Sequence, residues 1–128
     1  MDISKLTPIL LVDAIEPCLP FWERLGFTKT VEVPEGDRLG FTILQKDQLE
    51  VMLQTVHSTE ADVPSMASIP KGASILFLEV KDVAAIERAL DGYPVLVPRR
   101  RTFYGADELF VREPGGNAIG FAQFGASG

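Results

Sequence analysis

Few side chains in this sequence can do chemistry, and they are widely spaced. His57 is the single histidine and stands beside Ser58 and Glu60 in a stretch without hydrophobic periodicity. An imidazole there could act as a general base, but a lone histidine with no predicted partner favours a solvated side chain. Cys18 is the single cysteine and lies on the apolar stripe of a predicted helix, which is typical of a buried, unreactive thiol. We therefore predict no catalytic residue.

Strand alternation places the remaining candidates on one kind of surface. Where every second residue of a strand packs under a helix, the residues between them point to the opposite, concave face. This assigns to the concave face Glu50, Met52 and Gln54 from one strand, Ile75, Phe77 and Glu79 from another, and Glu108, Phe110 and Arg112 from a third. A wall of aromatic and aliphatic side chains with a few charges is typical of a small-molecule site.

Each of these residues also has a purely structural interpretation. Glu50 can be an exposed strand residue or pair with Arg112, since glutamate is rarely buried without a partner. The aromatic residues Phe77, Phe103, Tyr104 and Phe110 can stack on a planar ligand or fill a core. The basic run at residues 99–101 lies on a predicted strand, so its side chains alternate in direction and cannot all line one site.

The elements that must position these residues occur twice in the same order. Residues 6–12 form a predicted buried strand, a helix follows to Gly26, and three alternating strands come next. A second strand, helix and set of three strands occupy residues 74–124, with Asp82 as the expected N-cap of the helix. The order βαβββ, twice, predicts an α+β fold. We expect one domain over residues 1–128, with a first module at 1–56, a surface linker at 57–72 and a second module at 73–128.

Composition excludes several classes of function. The chain has 128 residues and a net charge of −6, from 12 Lys and Arg against 18 Asp and Glu. Such an acidic balance argues against nucleic-acid binding and favours a cationic guest. The longest apolar runs, residues 8–12 and 73–78, are far shorter than the ~20 residues that a membrane span needs. The first residues lack the basic and apolar regions of a secretory signal, so we expect a cytoplasmic protein.

Two motifs carry a resemblance to a known family. They are residues 21–27, Phe-Trp-Glu-Arg-Leu-Gly-Phe, and residues 110–117, Phe-Val-Arg-Glu-Pro-Gly-Gly-Asn. With the doubled βαβββ order, the chain resembles the vicinal-oxygen-chelate superfamily, which includes glyoxalase I, extradiol dioxygenases and bleomycin-resistance proteins. The opening Leu6-Thr7-Pro8 and the Phe-Trp pair are most similar to bleomycin-resistance proteins. The resemblance implies mixed sheets curved around a central cavity, and a homodimer in which modules of two chains enclose the ligand groove.

The same resemblance implies where a metal would be held. The metal-ligand positions of the superfamily fall here on Thr7, Glu50, Ile75 and Gly120, and only Glu50 can ligate strongly. A catalytic divalent ion normally needs at least three protein ligands, so we predict neither a metal nor a cofactor. The predicted ligand-binding residues are Thr7, Glu50, Met52, Ile75, Phe77, Glu79, Phe103, Tyr104, Phe110, Arg112 and Gly120.

Three functions remain open from the sequence. The first is a metal-independent protein that binds and sequesters an antibiotic-like small molecule, such as a bleomycin-type cation, in an inter-module or dimer-interface groove. The second is a metal-dependent lyase, isomerase or dioxygenase with displaced ligands, for which Glu50, His57 and either Glu79 or Glu108 are the available set. The third is a module that only pairs with itself or another protein, its concavity filled by side chains.

Overall fold

The first half of the chain forms a four-stranded mixed sheet. A computed structural model describes residues 1–125 of the protein. The elements of this half are β1 (Ile9–Val12), α1 (Leu19–Arg24), β2 (Thr28–Glu35), β3 (Arg38–Lys46) and β4 (Leu49–Thr55). The strand order is β1-β4-β3-β2, with β1 parallel to β4 and the other pairs antiparallel. The βαβββ order predicted for this half is confirmed.

The segment predicted as a linker contains a helix that the sequence pattern did not indicate. This helix, α2 (Val56–Asp62), follows β4 directly and is followed by a 3-10 turn at Pro64–Met66. Thr55 caps α2, because its side-chain oxygen accepts a hydrogen bond of 3.0 Å from the Ser58 N–H. The helix has few large apolar side chains, so no hydrophobic period revealed it. Its cap does follow the sequence rule for threonine.

The second half repeats the architecture of the first. Its elements are β5 (Ile75–Glu79), α3 (Val83–Ala89), β6 (Val95–Arg101), β7 (Ala106–Arg112) and β8 (Ala118–Phe124). The order β5-β8-β7-β6 is that of the first sheet, with β5 parallel to β8. Asp82 caps α3 as predicted, with a hydrogen bond of 3.1 Å from the Ala85 N–H. Two mixed sheets and three helices confirm the α+β fold.

One hydrophobic core lies between the two halves, on the side of the sheets that carries the helices. Trp22 and Phe21 of α1 pack at its centre, and the Phe21 ring meets Tyr93 of the second half edge to face at 5.0 Å. Leu53 of the first sheet and Phe121 of the second belong to the same cluster. The two sheets therefore share a core through their convex faces, and their concave faces point away from it.

The first strand is shorter than the sequence predicts, because β1 begins at Ile9, three residues later. β6 includes Arg101, so the basic run at residues 99–101 lies on a strand as predicted. Pro98 stands within β6, where the pairing with β7 is irregular, and a proline is tolerated there because β6 is an edge strand. No helix within residues 1–125 is both long and apolar enough to cross a membrane.

Candidate functional site

The Glu50 carboxylate lies in a cluster of donors on the concave face of the first sheet. The Thr7 hydroxyl donates to Oε1 at 3.0 Å, and the Gln45 amide donates to Oε2 at 2.6 Å. The Lys5 ammonium lies 2.9 Å from the same Oε2. The Lys5 ion pair, with the hydrogen bonds from Gln45 and Thr7, holds the pKa of the Glu50 carboxyl below its usual value. Glu50 is thus paired with Lys5 and not with Arg112.

The residues at the superfamily's metal positions do not fit a divalent ion. Thr7 and Glu50 are hydrogen-bonded to each other, and the Lys5 ammonium already supplies a positive charge beside the carboxylate. Ile75 and Gly120, on the second sheet, have no side-chain donor atom. A Cβ at Gly120 would lie 2.5 Å from the Phe110 ring, so a ligating side chain has no room there.

The displaced metal set considered from the sequence is not assembled. His57 Nδ1 lies 3.0 Å from Glu35 Oε1, and neither residue contacts Glu50 by a hydrogen bond. Within residues 1–125 there is no group of three or more His, Cys, Asp or Glu side chains that could hold a metal. The prediction that Glu50, His57 and Glu79 or Glu108 come together was wrong, because each alternation argument fixed a face but not a distance.

The concave face of the second sheet carries an aromatic pair over a glycine. The rings of Phe77 and Phe110 lie 6.2 Å apart at an interplanar angle of 38°. Phe77 is on β5 and Phe110 is on β7, the two strands on either side of β8. Gly120 of β8 pairs with both residues in register, and the Phe110 ring lies over its Cα. Phe77 remains 51% exposed. We call Phe77, Phe110 and Gly120 the aromatic platform.

Glu108 lies on the same concave face but is covered. Arg100 donates to Glu108 Oε1 through Nε at 3.0 Å and Nη2 at 2.8 Å, and the Tyr104 hydroxyl donates to Oε2. Burial raises the pKa of the Glu108 carboxyl, but the hydrogen bonds from Tyr104 and Arg100 outweigh it, so the pKa lies below its ordinary value. The hydrogen bond to Glu108 raises the pKa of the Tyr104 hydroxyl.

These ion pairs correct the charge expected on the concave faces. The sequence assigned three carboxylates, Glu50, Glu79 and Glu108, to a surface that would attract a cation. Lys5 neutralises the first and Arg100 the third. Glu79 is exposed and has no ion pair within the described part of the chain. The local attraction for a cation therefore comes from one carboxylate.

The other predicted site residues are divided between the two sheets. Met52 lies on the first sheet beside Ile9 and Ile43, its partners in register. Arg112 is exposed at the end of β7 and donates to the Gly116 carbonyl at 2.7 Å. Phe103 is fully exposed, and its ring meets the Tyr104 ring edge to face at 5.1 Å. The predicted residues thus form two surfaces on a single chain, one on each sheet.

Comparison with known proteins identifies the family. The sequence pattern of the Glyoxalase/Bleomycin resistance protein/Dioxygenase superfamily matches residues 5–121. The chain belongs to this superfamily. No curated protein matches the sequence.

Solved structures share the fold of this superfamily member over nearly its whole length. TnmS3, an antibiotic binding protein from Streptomyces sp. CB03234, has a TM-score of 0.71 at 25% identity over 98% of this chain and 99% of its own. TioX from Micromonospora sp. ML1 has a TM-score of 0.74 at 18% identity, covering 94% of this chain and 98% of its own. A glyoxalase/bleomycin resistance protein/dioxygenase from Nocardioides gives 0.73 at 16% identity, with coverages of 100% and 88%.

Three site residues of this superfamily member escaped the sequence prediction. Lys5 and Gln45 bind the Glu50 carboxylate, and Arg100 binds Glu108. Lys5 stands two residues before Thr7, so the alternation that describes a strand would have placed both on one face. Gln45 and Arg100 lie opposite their partners on neighbouring strands, and only the register of those strands shows it.

Proposed function

We propose that the protein binds and sequesters an antibiotic-like small molecule without the help of a metal. The observation that carries this proposal is the aromatic platform, which presents two phenyl rings on an open sheet face, one of them lying over the buried Gly120. A planar group can stack on such a surface, because aromatic pairs favour offset or tilted contact. The half-exposed Phe77 ring is available for that contact.

Two further observations support binding over metal chemistry. The positions that hold the metal in other members of the superfamily are occupied here by Thr7, by a glutamate already paired with Lys5, by an isoleucine and by a glycine beneath a phenyl ring. The relative TnmS3 is an antibiotic binding protein and shares 25% of its residues with this chain. A binding role needs only shape and polarity, which the platform supplies without a ligated ion.

The charges around the platform define the ligand we propose. Its planar part lies on Phe77 and Phe110, and a cationic group, where present, lies beside the exposed Glu79. The net charge of −6 attracts cations over a longer range and raises their rate of encounter at low ionic strength. A bleomycin-type ligand has a planar part and a cationic group, and its cationic group would find one unpaired carboxylate, that of Glu79, instead of three.

We further propose that two copies pair through their concave faces to form a homodimer and enclose the ligand. In a single chain these faces leave large apolar side chains in water, including Ile9, Val33 and Ile75, each between 48% and 71% exposed. Exposed apolar area of this kind is typical of an interaction surface. Size-exclusion chromatography with light scattering tests this part: a mass of one chain at high micromolar concentration contradicts it.

Titration with metal-free bleomycin tests the binding proposal. Calorimetry and amide shifts in nitrogen-15 NMR spectra are suitable readouts, whereas Trp22 is not, because it is 1% exposed and packed in the core against Phe27. We expect saturable binding with shifts around Phe77, and Phe77→Ala should weaken it about tenfold through loss of stacking and buried area.

Val95→Ala is the matched control for that variant. Val95 is equally exposed, but it pairs with the buried Val111 and so lies on the opposite face of the sheet. Binding should be unchanged in this control. Absence of heat and of amide shifts at high micromolar drug contradicts bleomycin as the ligand, and equal binding by Phe77→Ala contradicts the platform as the site.

A further inference from the structure

A cavity of about 780 Å³ lies between the two halves of the chain and shares Phe77 with the aromatic platform. Phe27 and Leu49 line it from the first half, and the consecutive residues from Phe77 to Lys81 line it from the second. Alternate residues of a strand face opposite sides of its sheet, so a cavity that touches several in a row must run along the strand's edge. We call it the edge cavity.

The open edge of β5 presents unpaired backbone groups to this cavity. In the parallel ladder with β8, Ala118 N–H donates to the Ser74 carbonyl at 3.0 Å and Val80 N–H donates to the Ala122 carbonyl at 2.9 Å. In a parallel ladder, the backbone N–H and C=O groups of every second residue bond to the same neighbouring strand. The backbone groups of the even-numbered residues of β5 therefore point toward β8. The N–H and C=O groups of Phe77 and Glu79 therefore point outward, into the edge cavity.

The three other sheet edges are protected against pairing. On β1, the Leu11 carbonyl accepts a hydrogen bond of 3.2 Å from Gly72 of the same chain. β2 has two register irregularities and a Lys29–Glu32 ion pair, and β6 has a proline and the arginines of residues 99–101. Bulges, prolines and charges are the usual means of blocking edge pairing. The edge of β5 has neither a proline nor a register irregularity, and Glu79 at its end is its one charged residue.

We propose that the edge cavity binds the amide backbone of a short, neutral, largely apolar peptide-like ligand, which adds to β5 as a further strand. Recognition comes from the outward N–H and C=O groups of Phe77 and Glu79, and apolar side chains of the ligand pack on Phe27 and Leu49. An extended tetrapeptide spans about 13 Å, which is the length of four residues of β5. The volume is in the range of small-molecule sites.

The charges at the rim favour a ligand with blocked ends. Lys46 and Lys81 stand there together with Asp47, Glu79 and Asp82. Because positive and negative groups are nearly equal in number, the rim has no strong preference for an anion or a cation. A ligand with blocked ends brings no charge of its own and so needs no ionic partner there. This site is additional to the antibiotic site proposed above, and the two sites have Phe77 in common.

Titration with acetyl-Val-Thr-Val-Thr-amide tests the proposal on the wild-type protein. We expect saturable binding with amide shifts at Phe77 and Glu79, which line the cavity. An analogue methylated at alternate amides keeps one bonding edge and should bind about equally. A fully N-methylated analogue should bind at least about tenfold more weakly. Equal binding of the fully methylated analogue, or no binding at millimolar peptide, overturns the proposal.

A proline substitution tests the protein side of the same hydrogen bonds. Glu79→Pro removes an outward N–H and leaves the β5–β8 ladder intact, and it should weaken the peptide about fivefold or more. Glu79→Ala keeps the N–H and should bind the peptide as the wild type does. A different result would overturn the proposal: the wild-type protein does not bind the peptide, and Glu79→Pro abolishes its self-association. The occupant of the edge would then be a second copy of the chain. Phe110→Ala disrupts only the platform, so loss of bleomycin binding with retained peptide binding separates the two sites.

Discussion

Replacing Glu113 should cost the protein a large part of its stability, although the residue lies in a turn. Glu113 is 1% exposed, and its carboxylate accepts three hydrogen bonds: from Gly115 N–H at 2.7 Å, and from the Asn117 N–H and side-chain amide at 2.8 and 2.7 Å. Asn117 in turn accepts a 3.0 Å bond from Ser74 N–H just before β5. Glu113 therefore fixes the turn that positions both β8 and β5.

The magnitude follows from the three donors that Glu113→Ala would leave without their acceptor. A hydrogen bond to a charged group contributes about 1.5–3 kcal/mol, and partial access of water to the turn recovers some of the loss. We expect the free energy of unfolding to fall by about 3–5 kcal/mol, and the melting temperature by roughly 10–20 °C in a domain of this size. Glu113→Gln keeps one acceptor oxygen in the same shape, so its loss should be about half as large.

Urea unfolding followed by circular dichroism measures the loss, and the Cys18 thiol provides a second readout. Burial, with the nearby Glu113 carboxylate, raises the pKa of Cys18 to about 12, so the folded protein should not react with a disulfide reagent at pH 8. Reaction then requires opening of the core. A loss of 3 kcal/mol should accelerate it about a hundredfold. A stability of Glu113→Ala within about 1 kcal/mol of wild type would refute the role assigned to this carboxylate.

Three other substitutions or conditions have expected outcomes. Gly120→Ala places a Cβ 2.5 Å from the Phe110 ring, so it should displace the ring, weaken platform binding and lower stability by about 1–3 kcal/mol in urea unfolding. Arg100→Ala leaves the buried Glu108 with Tyr104 alone, and NMR titration should show the pKa of Glu108 rising relative to wild type. Stability should fall as the pH rises above about 9, where the unfolded Cys18 ionises and the folded thiol does not, and Cys18→Ala should reduce that slope.

The fold was predictable because each half carries its own local signals. Alternation placed Val51 and Leu53 under the helix and Glu50 and Met52 on the other face, and the burial of the first two confirms it. Alternation depends only on the two-residue period of a strand, which any single strand reveals. The helix α2 was missed, because without an apolar stripe its one signal was the cap at Thr55.

The candidate site was predictable in part, and the missing part depends on distances between strands. The sequence placed Phe77 and Phe110 on one face, and the structure adds that they flank Gly120. The partner of Glu108 is Arg100, eight residues away across a tight connection, and only the strand register decides which arginine of the run reaches it. The homodimer, the cytoplasmic location and the ligand stay predictions, since each depends on molecules beyond a single chain.

The back-to-back packing of the two halves separates the residues that fold the protein from those that meet a ligand. Trp22 and Leu53 lie in the shared core, while Phe77 and Ile75 lie on the open faces, where substitutions usually change stability by about 0.5 kcal/mol or less. Most changes of the open faces should therefore be tolerated by the fold, with the exceptions of Glu108, which is buried, and Gly120, where a Cβ would meet the Phe110 ring. A lineage of such chains is free to alter what it recognises, residue by residue, without first acquiring extra stability.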